Sequence, residues 1–315
     1  MTDTPHTSQD RPLVTFALFA YNQENYIREA VEGAFSQTYE PLEIILSDDC
    51  SSDRTFEIMQ EMAAAYAGPH KVRVRREAKN RNLPDHINNV AEVSNGTYIV
   101  MAAGDDFSLP DRTESLVAEL ARPGKSVFAA FSAHIPVNST GALSGHRSQY
   151  RRDSVKSNSV SLLRFVAGAG GYGLGACYAY HRQVFSWPTK ISSSLVREDR
   201  VLPIRAAILG DVVSIDYPAV VYRKEIVKKP RSSRMPLAIH DDRYWDNVRE
   251  TLLISASQKF ISRAMLFSAV SVLNYVKFCA GVKSLLGESS VRGRIFWRAS
   301  QVPIRAVIRI RMKSN

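Results

Sequence analysis

IILSDD, residues 44–49, is an apolar run that ends in two adjacent aspartates, and YIVMAAGDD, residues 98–106, repeats this arrangement. An apolar, β-branched run that is bounded by polar turn residues predicts a buried strand. Open α/β sheets bind their ligands at the carboxyl ends of the strands, where both aspartate pairs would lie. Adjacent carboxylates repel each other at neutral pH unless a cation or hydrogen-bond donors lie between them. The two pairs therefore predict an α/β fold with a cation-dependent site at one sheet edge.

Strand-like and helix-like segments alternate between residues 12 and 111. The predicted strands are Val14–Ala20, Leu42–Ser47, Lys71–Arg75 (at an edge) and Thr97–Ala102, and the predicted helices are Asn25–Gln37, Asp53–Tyr66 and Leu83–Ser94. Ser51 or Ser52 is the expected N-cap of the second helix. This βαβα order predicts a mostly parallel sheet with right-handed crossovers.

The second half of the chain has shorter predicted elements. These are a helix from Pro110 to about Ala121, strands at Val127–Ile135, Ala176–Tyr180, Val212–Ile215 and Ala219–Tyr222, and a helix from Val196 to about Leu209. Residues 138–160 read as a mobile loop, and the pattern beyond Pro236 is helical. The glycine-rich run at residues 168–175 is either a flexible turn or a substrate-facing loop.

Composition is that of an ordinary globular protein, with 45% hydrophobic and 23% charged residues among 315. The three cysteines have no CxxC spacing, so we expect neither a disulfide framework nor a zinc site, and a reducing cytoplasm fits better. Residues 1–10 are polar, so we expect no signal peptide. The apolar stretch at residues 264–282 is interrupted by polar residues and predicts a buried or interfacial helix rather than a membrane span.

Charge is distributed unevenly along the chain. Residues 1–100 carry 9 Lys+Arg against 15 Asp+Glu (net −6), residues 101–200 carry 12 against 8 (net +4), and residues 201–315 carry 20 against 8 (net +12). A basic C-terminal end indicates an anionic partner, either a membrane surface or a polyanion.

Five motifs in order resemble family 2 glycosyltransferases, over residues 13–223. They are Ala20-Tyr21-Asn22; Phe35-Ser36-Gln37-Thr38-Tyr39; Leu42 to Asp49 with Ser51, Ser52, Asp53 and Thr55; Asn95-Gly96-Thr97-Tyr98-Ile99 before Asp105-Asp106; and Arg197-Glu198-Asp199. The resemblance implies the GT-A nucleotide-sugar fold, which is a Rossmann-like, mostly parallel sheet flanked by helices.

The resemblance also implies a nucleotide-sugar donor, with a UDP- or dTDP-sugar expected. The strand end at Ala20 and Tyr21 would contact the base, with Tyr21 stacking on it, and Asp49 would accept the ring N–H. Arg81, with Lys79 as the alternative, would face the nucleotide, although a solvated basic loop explains both equally well. For Asp48 the alternative role is helix capping, and for Asp53 capping is the better interpretation.

The second aspartate pair would divide two tasks in such an enzyme. Asp105 would bind the ribose hydroxyls, and Asp106 would coordinate Mg²⁺ or Mn²⁺ together with the diphosphate. The family usually has a further aspartate two residues before Asp105, where this chain has Ala103. One or two carboxylates plus substrate phosphates are nevertheless a common set of ligands for a hard cation.

Asp199 stands where the family places its catalytic base, and Glu198 is the alternative. A carboxylate at a helix start can also be explained by the helix dipole. In an inverting transfer the base takes the proton of the attacking acceptor hydroxyl. The Gln-x-x-Arg-Trp motif of processive synthases is absent, which favours transfer of a single sugar.

The C-terminal end lies outside the resemblance. Its segments VRGRIFWR, residues 291–298, and IRAVIRIR, residues 304–311, mix arginines with bulky apolar residues. Such segments suit an anionic bilayer surface, and a helix packed on the catalytic domain is the alternative. We therefore expect a catalytic domain at 11–235, a basic helical region at 236–315, and a peripheral position on the cytoplasmic face of the plasma membrane. There the acceptor would be a glycan or a lipid-linked glycan of a surface polysaccharide.

Two other functions are compatible with parts of the sequence. A sugar-phosphate nucleotidyltransferase would share the fold but needs a basic glycine-rich phosphate loop, where this chain has the acidic YNQEN at residues 21–25. A non-catalytic basic protein would explain the C-terminal arginines but not the aspartate pairs, which would repel the phosphates of a nucleic acid. We therefore expect no nucleic-acid partner.

Overall fold

The computed structural model describes residues 11–138, 162–163, 165–166, 173–192, 198–223 and 242–285. These residues form two compact units. The first contains residues 11–138, 173–192 and 213–223, and the second contains the remaining described residues.

The described strands form an eight-stranded sheet of order β3-β2-β1-β4-β7-β6-β8-β5, which organises the fold. Its strands are β1 (Val14–Ala20), β2 (Leu42–Asp48), β3 (Lys71–Arg76), β4 (Tyr98–Ala103), β5 (Phe107–Ser108), β6 (Val127–Val137), β7 (Tyr178–His181) and β8 (Asp211–Arg223). The expected α/β architecture is confirmed, and β3 is the edge strand that the sequence predicts.

The sheet is more mixed than the sequence predicts. Strands β3, β2, β1 and β4 pair in parallel, whereas the pairs β4–β7, β7–β6 and β8–β5 are antiparallel. A parallel pair needs a long crossover, and helices supply it between β1 and β2, between β2 and β3, and between β3 and β4. The expectation of a mostly parallel sheet therefore holds for that half alone.

In its described residues, the first unit has four α-helices beside the sheet. They are α1 (Ile27–Phe35), α2 (Thr55–Ala64), α3 (Asn82–Val93) and α4 (Arg112–Leu120). Strand β1 is buried along all seven residues, which explains its continuous apolar sequence. Helix α1 turns Ile27, Ala30, Val31 and Ala34 into the same core, so the start of α1 is fixed close to the end of β1.

Two local predictions are wrong. The two short strands expected at 212–215 and 219–222 are one strand, β8, whose exposed Asp216 and nearby Pro218 imitate a turn in the sequence. Neither Ser51 nor Ser52 caps α2. The N-cap residue is Arg54, and Asp53, one residue before it, accepts the Thr55 backbone N–H with its Oδ1 at 3.0 Å. Asp53 therefore satisfies a backbone N–H in the first turn of α2, as a capping role requires, but it does not occupy the N-cap position.

The second unit is helical in its described part, apart from the first two residues of β8. It contains α5 (Glu198–Leu209), α6 (Asp242–Ser257) and α7 (Arg263–Leu285), and α6 packs against α7. No described helix is long and apolar enough to span a bilayer. Most of the predicted loop at 138–160, most of the glycine-rich run, and both arginine-rich segments beyond residue 290 lie outside the described residues. The predicted domain boundary at 235/236 also lies outside them and stays a prediction.

Candidate active site

The end of β1 holds the two aspartate-containing turns on either side of it. The Asp49 backbone N–H donates to the Ala20 carbonyl at 2.9 Å, and the Gly104 N–H donates to the Phe19 carbonyl at 2.9 Å. The fold thus brings Ala20, Tyr21 and both aspartate pairs to one edge of the sheet, as the sequence predicts.

Gly104 permits the close approach of the second turn. A Cβ atom at this position would lie 2.4 Å from Gln23 Oε1 and 2.9 Å from the Ala20 Cβ. Any other residue would therefore push the turn at 104–106 away from the end of β1.

The loop after β1 is tied to the loop after β2 by reciprocal hydrogen bonds. The Asn22 backbone N–H donates to Ser51 Oγ at 2.9 Å, and the Ser52 N–H donates to Asn22 Oδ1 at 2.8 Å. The Gln23 N–H donates to Thr55 Oγ1 at 2.7 Å. The polar residues after the first aspartate pair therefore fix the backbone around Tyr21, whose side chain is 47% exposed. An exposed ring on a fixed backbone is what stacking on a flat base requires.

Asp48, the first member of the first pair, is neutralised by the protein. Its fully buried carboxylate lies 3.2 Å from Arg76 Nε and accepts the Ser51 backbone N–H at 2.9 Å as well as the Ser51 hydroxyl. This carboxylate closes the turn and does not cap a helix.

Asp49, the second member, is buried but less fully satisfied. Its Oδ1 accepts the Arg81 backbone N–H at 2.8 Å. Burial raises the pKa of the Asp49 carboxyl, and the charges of Glu77 and Asp48 act in the same direction. Asp49 therefore remains a strong acceptor at the sheet edge, oriented by the segment that precedes α3.

Glu77 is buried next to the segment that precedes α3 and links it to β3 and α3. Its Oε1 accepts from Arg75 Nη2 at 2.6 Å and from Asn89 Nδ2 at 3.1 Å. Arg75 also donates to Ser47 Oγ at 2.9 Å, and Ser47 lies 2.6 Å from His86 Nε2. The network joins β2, β3 and α3 directly beneath the first aspartate pair.

His86 is a buried, uncharged member of the network. Burial lowers its pKa to about 4, and the nearby Arg75 charge acts in the same direction. Its ring packs edge-on against Phe19 at 5.2 Å between centroids. Protonation of His86 would place a second cation beside Arg75 in the core.

Asp106, in the second pair, differs sharply from Asp48. Its side chain is about 5% exposed, and Oδ1 accepts the Arg223 backbone N–H at 2.9 Å. Burial raises the pKa of Asp106 to about 7, and the neighbouring Asp105 charge acts in the same direction. Within the described residues no Lys, Arg or His side chain forms a salt bridge with this carboxylate, and the charges of Arg112 and Arg223 offset the rise in its pKa only in part. Such a buried carboxylate is stabilised in its charged form by an added cation.

Arg112 lies beneath the second turn and is fully buried. Its guanidinium donates to Ser108 Oγ at 2.8 Å and to the Met101 carbonyl at 2.6 Å, and it reaches the Ala176 carbonyl. Burial lowers the pKa of Arg112 to about 10. Arg112 therefore joins β4, β5 and the segment before β7, and its charge acts on Asp106 through the core.

The other predicted site residues are spread over three segments. Arg81 is half-exposed just before α3, with Nε 3.9 Å from Glu77 Oε2, and Lys79 is exposed in the same segment. Glu198 and Asp199 form the first turn of α5 in the second unit, and both are half-buried. Asp105 is half-buried beside Asp106.

Several residues at this edge escaped the sequence analysis. These residues carry no motif of their own: Gly104, Gln23, Glu29, Glu77 and Arg112. All but Glu77 have a partner far away in sequence, and Glu77 acts through Arg75 and Asn89. Only the glycine gave a usable signal, because a glycine directly after a buried strand often marks a close approach.

The family model described as "Glycosyl transferase family 2" matches residues 15–186, more than half of the chain. Chondroitin synthase of Escherichia coli is 33% identical over 132 residues, which are 42% of this chain and 18% of that protein. The chain spans 38% or less of the length of the first three curated relatives that it matches.

Two solved structures share the fold at low sequence identity. S. aureus TarS 1-349 in complex with UDP-GlcNAc has a TM-score of 0.61 at 15% identity, covering 92% of this chain and 80% of that one. The mannosyltransferase PcManGT from Pyrobaculum calidifontis, in complex with GDP-Man and Mn²⁺, has a TM-score of 0.53 at 16% identity, covering 97% of this chain and 86% of that one.

Proposed function

Because the chain belongs to glycosyl transferase family 2, we propose that it transfers a single sugar from a nucleotide-diphospho-sugar to an acceptor hydroxyl with inversion at the anomeric carbon. The observation that carries this proposal is the buried Asp106 carboxylate, which has no salt-bridge partner among the described residues and lies at the same sheet edge as Tyr21 and Asp49. This arrangement pairs a base-stacking surface with a carboxylate that a metal–diphosphate group would neutralise.

Mg²⁺ or Mn²⁺ fits the chemistry of Asp106. The described residues contain no group of three or more His, Cys, Asp or Glu side chains that could hold a metal by themselves. A hard cation held by one carboxylate and completed by diphosphate oxygens needs no such group. When bound, the cation would neutralise the charge that develops on the departing nucleotide diphosphate. The Mn²⁺ in the PcManGT complex supports this choice by analogy of fold.

Nucleotide recognition would come from the first turn. Tyr21 would stack on the base, Asp49 would accept its ring N–H, and the backbone at Ala20 would form the floor. Arg81 would face the nucleotide, and Asp105 would bind the ribose hydroxyls. The ring N–H of uracil or thymine suits an acceptor such as Asp49, so we favour a UDP- or dTDP-sugar donor.

Asp199 would be the catalytic base, with Glu198 as the alternative. A positioned carboxylate that takes the acceptor proton typically contributes about 10²–10⁴-fold to the rate. If Asp199 is the base, Asp199→Asn should abolish transfer and leave donor binding intact. Loss of activity only in Glu198→Gln would assign the role to Glu198.

The acceptor would be a glycan or a lipid-linked glycan in polysaccharide synthesis, an assignment supported by the similarity to chondroitin synthase. A lipid-linked acceptor suits a peripheral position on the cytoplasmic face of the membrane. Helix α7 supports this position, because it exposes Phe267 (76%) and Phe278 (65%) and has no acidic residue. An aromatic, acid-free face followed by a basic C-terminal end suits an anionic bilayer surface.

Calorimetric binding of UDP, dTDP, GDP and CMP, with and without Mn²⁺, tests the function. We expect metal-dependent binding of UDP or dTDP that disappears in Asp106→Ala. Asp216→Ala is the matched control, because it removes an exposed carboxylate from β8 and should leave binding unchanged. Absence of metal-dependent binding to all four nucleotides would refute the proposal.

A further inference from the structure

Arg223, the last residue of β8, contacts both members of the second aspartate pair. Its backbone N–H donates to Asp106 Oδ1 at 2.9 Å, and its guanidinium Nη1 donates to the Asp105 carbonyl at 3.1 Å. The pairing of β8 with β5, Phe107 opposite Val221, places Arg223 at this turn. Its side chain is only 10% exposed. A buried cation therefore lies within reach of the carboxylate that is proposed to hold a metal.

The guanidinium of Arg223 is directed towards α1. Nη2 lies 2.6 Å from Glu29 Oε2, and the guanidinium carbon lies 4.8 Å from the centre of the Tyr26 ring. Glu29 is 54% exposed, so its own carboxylate stays hydrated while it pairs with the largely buried guanidinium. Glu29 and Tyr26 together keep the guanidinium on the α1 side of the turn.

The same guanidinium would compete with a metal if it were released. A buried carboxylate binds an arginine strongly, because a bidentate, charge-assisted pair satisfies both of its oxygens. In the described residues, the contacts of the Arg223 guanidinium are with the Asp105 carbonyl, Glu29 and Tyr26, and none is with the Asp106 carboxylate. Because the guanidinium pairs with Glu29, the Asp106 carboxylate remains available to another cation.

We propose that Glu29 is a positioning residue that holds Arg223 away from Asp106 and so keeps this carboxylate available for the divalent cation. The inference rests on the proposed function, since it concerns the cation that Asp106 would bind. It assigns to the exposed face of α1 a role in setting metal affinity.

The test is a double-mutant cycle with Glu29→Gln, Arg223→Met and the double variant of the full chain. The measurement is the Mn²⁺ concentration that half-saturates UDP binding in calorimetry. We expect Glu29→Gln to raise this concentration about tenfold, because the freed guanidinium pairs with Asp106. The double variant should bind Mn²⁺ better than Glu29→Gln alone, since the competing cation is gone. Glu32→Gln, an exposed change on the same helix, should have no effect.

Structural damage gives a different pattern. A pair that only tethered the turn would leave the double variant no better than Glu29→Gln, and this result would overturn the inference. An unchanged Mn²⁺ concentration for half-saturation in Glu29→Gln would also overturn it. So would a rise in this concentration that is equally large when Glu29→Gln is introduced into the parent and into Arg223→Met. Thermal unfolding of Glu29→Gln should stay within about 2 °C of the parent, because Glu29 is 54% exposed and the freed guanidinium regains a carboxylate partner in Asp106. If the parent chain itself shows no Mn²⁺-dependent UDP binding, the proposed function fails together with the inference. If the parent binds UDP with Mn²⁺ and the variants do not follow the expected pattern, only the role of Glu29 fails.

Discussion

The two aspartate pairs share a sequence pattern and a sheet edge, but their carboxylates have different surroundings. Asp48 lies beside the edge strand β3, and Arg76 on that strand neutralises it. Asp106 lies on the other side of β1, where it accepts a hydrogen bond from a backbone N–H and burial raises its pKa to about 7. The difference shows that position in the sheet, rather than the motif, decides whether an aspartate serves the fold or a ligand.

The largest difference between the pairs is expected from Asp106→Asn. Loss of the negative charge should weaken Mn²⁺-dependent UDP binding about 100-fold or more, because a charged contact to the cation is lost. Calorimetry measures this effect directly. If Asp106→Asn binds UDP as tightly as the parent in the presence of Mn²⁺, Asp106 does not serve the metal and the two aspartate pairs no longer differ in role.

The pH dependence of the free energy of unfolding gives a second test of Asp106. The pKa of Asp106 is raised in the folded protein, so its stabilising contribution is lost as the pH rises towards about 7. Asn lacks this titration. Urea unfolding at pH 6 and pH 8 should therefore show that Asp106→Asn gains stability relative to the parent at the higher pH.

Asp48→Asn should show the opposite behaviour. Removing the charge leaves Arg76 without its buried partner and weakens the bond from the Ser51 hydroxyl, so the free energy of unfolding should fall by about 2–3 kcal/mol. Urea unfolding measures this loss. The Mn²⁺ concentration needed for UDP binding should not change, and a large increase would mean that both pairs serve the metal.

The pH dependence of His86 sharpens the scaffold role of the first pair. Its folded pKa of about 4 lies below the unfolded value of 6.5, so the unfolded state binds more protons between these values. The stability that neutral His86 contributes is complete above pH 6.5 and is lost as the pH falls towards 4, by about 2 kcal/mol between pH 7 and pH 5.

The effect of His86 is measured as the difference in free energy of unfolding between the parent and His86→Gln. Asp106 titrates with the opposite sign in this range, so urea unfolding of the parent is compared with that of His86→Gln at pH 7 and pH 5. The parent should lose stability relative to the variant at pH 5. Parallel losses in both proteins would exclude His86 as the titrating group.

The smallest expected effect concerns Cys50, directly after the first pair. Its φ of +64° places a side chain in the left-handed region, at a cost of about 1 kcal/mol. Cys50→Gly relieves this cost but makes the unfolded chain more flexible, so a net gain of a few tenths of a kcal/mol is expected. Thermal unfolding of the reduced proteins checks it, and a clear loss of stability would show that the Cys50 side chain supports the turn.

In the first half of the chain, the local pattern of apolar and polar residues was sufficient to predict most of the fold. The apolar runs of β1, β2 and β4 are buried on both faces, and a strand of this kind is readable from its sequence alone. The β8 prediction failed because Asp216 and Pro218 imitate a turn, while β8 lies in the sheet between β6 and β5, two strands from much earlier in the chain. The N-cap prediction failed because Ser51 and Ser52 bond to the loop after β1 instead.

The sequence by itself determined that carboxylates would stand at the ends of buried strands, since the order of residues fixes which side chains come directly after a strand. Tertiary structure alone decided the state of each carboxylate. Asp48 is neutralised because β3 carries Arg76 alongside it, and Asp106 remains without such a partner in the described residues because Glu29 engages Arg223 from a helix nearly 200 residues away in sequence. Charge interactions depend on distance and burial in space, and neither quantity can be read from spacing along the chain.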